Sequence, residues 1–350
     1  MTVGNRSTYS AATHLPQGLI YPELVHGGMV ETLVQNTQAF NGASRNAIRL
    51  VSNRTRGDYA QESFWGLISS LVSRRDPNST SAATALAVPK AEMISIKINR
   101  KVGPVDQTLD SFRKLGQGGT QADPEALSFL LGTQIAKAMQ VDQLDAALRS
   151  TTAALANQSA VLRDISAGGS PAAGRTITTN DLVDALAKKG DAASRVVCWV
   201  MHSKPFFDLV KNQITANIDG VSNFVVANAS PITLNRPVIV TDSAGLTYTE
   251  TGTSPNRTGY YTLGLDENGV VVEDTEEDLF HSEIISGLEN LVVRLQGEYA
   301  YNMTVKGFKY NLTTSPMSIN PTDAQLSTGS NWTKVVTSNK DLAGVILQSH

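Results

Sequence analysis

The feature that most constrains this chain is a stretch from Asp123 to Asn157 in which apolar residues return every three or four positions. Leu127, Leu131, Ile135, Ala138, Val141, Leu144, Leu148 and Leu155 carry the period, which is that of one face of an α-helix. Asp123 suits the cap, Pro124 the first helical position and Glu125 the positive end of the dipole. Only Gly132 weakens the run. The spacing predicts a single helix over about 123–157, roughly 45 Å long at 1.5 Å per residue. Helices in compact domains average about a dozen residues. A chain with one such element must build around it.

The flanks are of a different character. Residues 1–44 mix Gly, Pro, Asn, Thr and small residues around one short amphipathic piece, Met29 to Val34, and predict an arm with a brief helix. Ala47 to about Tyr59 and Met93 to Val102 read as strands. In the second, Ile94, Ile96 and Ile98 alternate with Ser95, Lys97 and Asn99, the period of a half-buried strand with Lys97 towards solvent. Between them, Gly66 to Val88 holds Arg74-Arg75-Asp76-Pro77-Asn78 and the small-residue run Ser79 to Ala87. Two strands with a long polar tip make a projecting hairpin, and a lone hairpin needs a partner to be stable.

After the glycine-rich break at Gly168–Gly174, helix and strand alternate. Thr179 to Lys189 and Pro205 to Ile214 read as helices, and Arg195 to Met201 and Arg236 to Thr241 as strands, a small α/β unit over about 175–245. Asn268-Gly269 between Tyr260–Leu265 and Val270–Glu273 is a hairpin signal. Leu291–Leu295 and Tyr299–Phe308 close the series as strands. The fold class is therefore α+β.

Signs of chemistry are few. The sequence has no phosphate-binding Gly-x4-Gly-Lys-Ser/Thr loop, zinc-protease helix or nucleophile elbow. His202 follows an apolar strand, where α/β folds often place functional groups, but no partner His, Cys or acid cluster is apparent in the sequence; it reads as a strand-end residue capping a turn. Cys198, the sole cysteine, lies within Val196–Val200, an apolar setting that disfavours a thiolate. No cofactor or metal is expected. The 350 residues carry 17% charged side chains and a formal net charge of -3, so there is no general positive field for nucleic acid and any contact with DNA should be indirect. Met1–Ser10 shows no secretory pattern, and no apolar stretch is long enough to span a membrane.

An arm, a projecting hairpin, a very long helix, an α/β unit and a final set of strands, in that order, resemble the Hong Kong 97-type capsid fold of tailed bacteriophages. So do several local phrases. These are Arg74–Pro77 with Ser79–Ser81, Lys97–Val105, Val200–Lys204, and Gly297–Tyr301 followed by Val305–Gly307. The resemblance implies an N-arm (1–44), an E-loop (45–105) and a P-domain part with the spine helix (106–174). An A-domain with a hairpin insertion (175–280), then P-domain strands and a C-terminal tail (281–350), would follow. It implies a major capsid protein, not an enzyme, that assembles with itself in hexamers and pentamers into an icosahedral shell around double-stranded DNA. A portal, a separate scaffolding protein and a decoration protein would be its further partners, the host bacterial cytoplasm the place of assembly and the virion its destination. Arg74, Arg75 and Asp76 at the hairpin tip, with Glu276 and Glu277 of an acidic run, are the candidate inter-subunit contacts. An encapsulin-like compartment shell shares the fold and is the alternative; an α/β enzyme using His202 is a third reading.

Overall fold

A computed structural model describes residues 22–51, 59–65, 68, 71–82, 85–88, 90–108, 124–166, 176–219, 233–250, 257–275, 279–312 and 320–350. The long helix is there as one element: α2, Pro124–Ala156, 33 residues. Its predicted cap, Asp123, lies outside the described residues. The described residues divide into two compact units, one within 1–40, 98–144 and 274–301, the other within 41–97, 145–273 and 302–350.

In the first unit, α1 (Pro22–Ala43) runs 22 residues, far beyond the brief Met29–Val34 helix that the sequence predicts. Gly27-Gly28 argues against a helix locally, because glycine costs roughly 1 kcal/mol against alanine there. Packing overrides it. A Cβ on Gly28 would sit 2.7 Å from the Phe129 carbonyl oxygen, and one on Gly132 would collide with that of Val25, so two glycines let α1 and α2 touch backbone to backbone. Asn36 Nδ2 donates to Gln140 Oε1 at 3.1 Å further along the same contact.

The strand β3 (Lys90–Thr108) is hydrogen-bonded to β11 (Val292–Val305), which also pairs antiparallel with β10 (Leu279–Ile285), Leu279 opposite Glu298 and Ile285 opposite Val292. Leu291–Leu295 and Tyr299–Phe308 are thus mostly one strand. Arg294 on β11 grips Asp106 on β3 with two hydrogen bonds of 2.7 Å. That bond, chiefly, holds the Asp106 carboxyl below the usual carboxylate range and raises the guanidinium pKa.

The second unit is centred on a sheet ordered β4 (Leu162–Asp164), β14 (Gly344–Ser349), β8 (Arg257–Asp266), β5 (Val196–Met201), β6 (Val238–Val240), with β7 (Thr247–Glu250) on β8. The α/β unit expected from alternation is present: β5, then α4 (Ser203–Asp219), then β6 parallel to β5. Helix α3 (Thr179–Ala187) is closed by a capping box in which Thr178 and Asp181 bond each other's backbone N–H. Its Leu182, Ala185 and Leu186 join Trp199, Met201, Leu209, Val345 and Leu347 in one core. Strands β12 (Phe308–Tyr310) and β13 (Trp332–Lys334) pair antiparallel with each other, and the C-terminal strand β14, unmarked by any pattern in the sequence reading, lies between β8 and β4.

Three sequence expectations fail here. Ile48–Val51 and Tyr59 do not share one strand: β1 (Ile48–Val51) pairs parallel with β9 (Val270–Asp274), and the hairpin's outgoing arm is β2 (Tyr59–Trp65), at the other edge of the sheet. The Asn268-Gly269 turn forms, with Asn268 at φ 53° and the Gly269 N–H on the Asp266 carbonyl at 3.1 Å, but it closes no hairpin among the described residues. The strands it joins enter different sheets, β8 beside β5 and β14, β9 beside β1. Lys97, expected towards solvent, is 6% exposed, and Ser95, Ile96 and Ile98 are buried with it. This part of β3 is covered on both faces, where alternation loses its meaning.

Within α2 the apolar stripe is also only part of the burial. Val141 of that stripe is 66% exposed, while Ala146, Ala147, Ser150, Thr151, Ala153 and Ala154 are all buried. The hydroxyls of Ser150 and Thr151 bond back to the carbonyls of Ala146 and Ala147 at 2.8 and 2.7 Å, so they are buried without being left unpaired.

Candidate assembly surfaces

A hairpin is built by β2 and the first part of β3, in unbroken antiparallel register from Tyr59 opposite Ile96 to Trp65 opposite Lys90. Past that last pair the described residues of the tip form no strand. Apolar side chains at and past this pair face solvent: Trp65 is 70% exposed and Val72 91%, with Leu71, Leu86 and Val88 around half exposed or more. Exposed apolar groups of this size on one segment make it a candidate contact surface.

Arg74, Arg75 and Asp76 come together at the exposed end of this segment. Asp76 is engaged locally, its Oδ1 accepting the Asn78 N–H at 3.0 Å and its carbonyl the Ser79 N–H at 3.3 Å. This is the turn that Asp-Pro-Asn favours. Among the described residues neither arginine has an ion-pair partner. Glu276 and Glu277 lie outside the described residues.

His202 sits between β5 and α4, 17% exposed at its side chain. Its Nδ1 accepts the Lys204 N–H at 3.3 Å with Ser203 Oγ 3.4 Å away, and its Nε2 lies 3.5 Å from Asp242 Oδ1. The Tyr260 ring packs against it at 4.9 Å. The Ser203 hydroxyl, and then the imidazole, hold the Asp242 carboxyl below the usual range. Nδ1 is thus taken up by the first turn of the helix, while Nε2 and the Ser203 hydroxyl are directed to Asp242. Cys198 is fully buried, and burial pushes its thiol up to about 12, which removes it as a nucleophile at neutral pH.

Two polar centres escaped the sequence reading. In the first unit, Asp142 Oδ2 accepts from Tyr299 at 2.8 Å, Tyr301 at 3.1 Å and Arg100 Nε at 3.1 Å, tying α2 to neighbouring strands. Burial, then the Asp142 charge, raises the pKa of both phenols. In the second unit, Lys189 and Asp266 form an ion pair at 0% and 1% side-chain exposure. The Lys189 ammonium also donates to the Leu342 carbonyl at 3.3 Å, and Lys306 stands 3.9 Å from the other carboxylate oxygen. Tyr299 and Tyr301 on one face of a strand were a visible hint of the first centre. Nothing local marked the second. Among the described residues no cluster of His, Cys, Asp and Glu could hold a metal ion.

The chain matches no curated protein. Among solved structures it is similar to the capsid of Ralstonia phage GP4, at 10% identity and TM-score 0.49, covering 87% of each chain. The Cyanophage Pam1 capsid asymmetric unit aligns at 12% identity and TM-score 0.49, over 86% of this chain and 88% of that one. The capsid of Myoviridae phage XM1 aligns at 11% and 0.48, over 87% and 90%. A family model described as Gp13-like, major capsid protein 13-like, matches residues 19–346, nearly the whole sequence. The chain belongs to this Gp13-like family of major capsid proteins.

Proposed function

We propose that this capsid protein closes an icosahedral shell around double-stranded DNA by packing copies of itself as hexamers and pentamers, with the projecting hairpin as a principal joint. The observation that carries the reading is the exposed apolar set on that hairpin: Trp65, Leu71, Val72, Leu86 and Val88. Each apolar side chain covered by a neighbouring subunit contributes about 25 cal/mol per Å² of surface removed from water. A shell multiplies many such modest contacts into a cooperative whole.

In this reading residues 1–44 serve as the N-arm, 45–105 as the E-loop and 106–174 as the P-domain part with the spine helix. Residues 175–280 form the A-domain with its insertion, and 281–350 return to the P-domain and end as a tail. Arg74 and Arg75 pair with acids of a neighbour, and Glu276 and Glu277 offer the complementary charge. The shell is a structural container without catalysis, assembled in the bacterial cytoplasm on a separate scaffold, fitted with a portal and reinforced by a decoration protein. It contacts DNA only indirectly and needs no membrane.

The test is a Trp65→Ser, Leu71→Ser double variant, compared with the native chain by sedimentation and negative-stain microscopy in the presence of the phage's own assembly proteins. The expected result is folded, soluble subunits with few closed particles. Native yields of intact shells from the variant would refute the role of the hairpin.

A further inference from the structure

We propose that His202 is an acid-sensitive cap: neutral, it holds the first turn of α4 closed, and protonated, it releases that turn while the sheet behind it stays intact. The inference stands apart from the capsid reading and rests on the geometry of one junction.

A backbone N–H can only donate. Since Nδ1 lies 3.3 Å from the Lys204 nitrogen in a hydrogen-bonding direction, Nδ1 must be the bare nitrogen, and the imidazole proton sits on Nε2, facing Asp242. His202 therefore does for α4 what a Ser or Asp does at an ordinary helix start, accepting one of the orphan N–H groups of the first turn. Its carbonyl also accepts from the Phe206 N–H at 3.3 Å. Histidine differs from the usual caps in one respect: the imidazole changes charge within the range pH 5–8. Protonation places hydrogen on Nδ1, so two donors then face each other and the cap is lost.

Asp242, in the turn after β6, faces Nε2, and the N-terminal end of α4 faces Nδ1. Lys204 and Asp208 on the same helix pair with each other, which leaves the lysine charge largely offset. From β8, Tyr260 contributes an aromatic ring against the imidazole. Behind the junction the chain is anchored independently, with Thr241 N–H on the Met201 carbonyl at 3.1 Å and Cys198 to Met201 fully buried. Acid thus loosens one surface turn without reaching the core.

The experiment is hydrogen exchange read by mass spectrometry on the full-length protein at pH 7.5 and 5.5, corrected for intrinsic exchange, over the peptide that spans Lys204 to Asp208. Native protein should lose protection in this turn by about fivefold on acidification, the factor that a cap of ordinary strength represents. His202→Asn, a cap that does not titrate, should show a flat profile. Asp242→Asn should shift the native transition to lower pH, since it removes the carboxylate that faces Nε2. A flat native profile, or the same acid response in His202→Asn, overturns the proposal. Should His202→Asn fail to fold, an unmoved transition in Asp242→Asn overturns it equally.

Discussion

Replacing Lys189 by Met tests the buried ion pair most directly. The native pair is fully enclosed, with the ammonium on the Asp266 carboxylate and on the Leu342 carbonyl. Methionine nearly matches the lysine stem in volume, so packing changes little and the charge alone is removed. Asp266 is then left with Lys306, 3.9 Å away and 39% exposed, and the weaker influence of Arg195. Removing one partner of a buried pair costs roughly 3–5 kcal/mol, because the other charge stays buried without compensation. That is a large share of a typical folding stability of about 5–15 kcal/mol.

The pH dependence has a definite sign. Burial already raises the Asp266 pKa in the native protein, and Lys189 is the largest influence opposing that rise. Without the lysine the carboxyl rises further. A group whose folded pKa lies above its unfolded value contributes stability at low pH and loses it as pH rises through the folded pKa. The deficit of Lys189→Met should therefore be smallest at the acid end, near pH 4, and grow towards pH 8. Urea unfolding of unassembled subunits, followed by circular dichroism across that range, reads both quantities. The Lys189→Met, Asp266→Leu double variant should regain much of the loss, since an apolar pair of similar volume is often no worse than a buried ion pair. A single variant within 1 kcal/mol of native at pH 7.5, or a deficit that shrinks as pH rises, would refute this account.

Gly132→Val should detach α1 from α2, because any Cβ there meets the Val25 carbonyl, and limited proteolysis should then cut within 22–43 in the variant but not in the native protein. Asp142→Ala removes the acceptor shared by the Tyr299 and Tyr301 phenols, at a cost of about 1–3 kcal/mol for a buried group losing its partner, measurable by urea unfolding. Arg75→Ala should leave the subunit as stable as native yet lower shell yield, since an exposed charge is worth under about 1 kcal/mol within one chain and several at a buried interface. Boiling mature particles in detergent should give one band at the 37.4 kDa monomer mass. Gly66 to Pro89 contains no lysine to serve as an amine nucleophile, and arginine stays protonated; a ladder of covalent multimers would contradict this.

The sequence by itself determined those features whose cause lies within a few residues along the chain. The 3.6-residue period and Pro124 marked α2 almost to its ends, alternation marked the β5–α4–β6 crossover, and the apolar neighbours of Cys198 announced its burial. The tertiary structure alone decided whatever depends on a partner far away in sequence. Gly28 reads as a helix breaker until Phe129 stands against it, and α1 is then seen to need a residue without a side chain there. Asn268-Gly269 specifies a turn, but whether its two arms pair depends on what else competes for their edges; β1 takes one, and β5 and β14 take the other. Asp142, Lys189 and Asp266 look like ordinary surface charges in the sequence. Their partners come from 40 to 159 residues away, and charge pairing at such separations leaves no periodic trace along the chain. The same holds for Lys97, because alternation can report one covered face of a strand but is silent about a second.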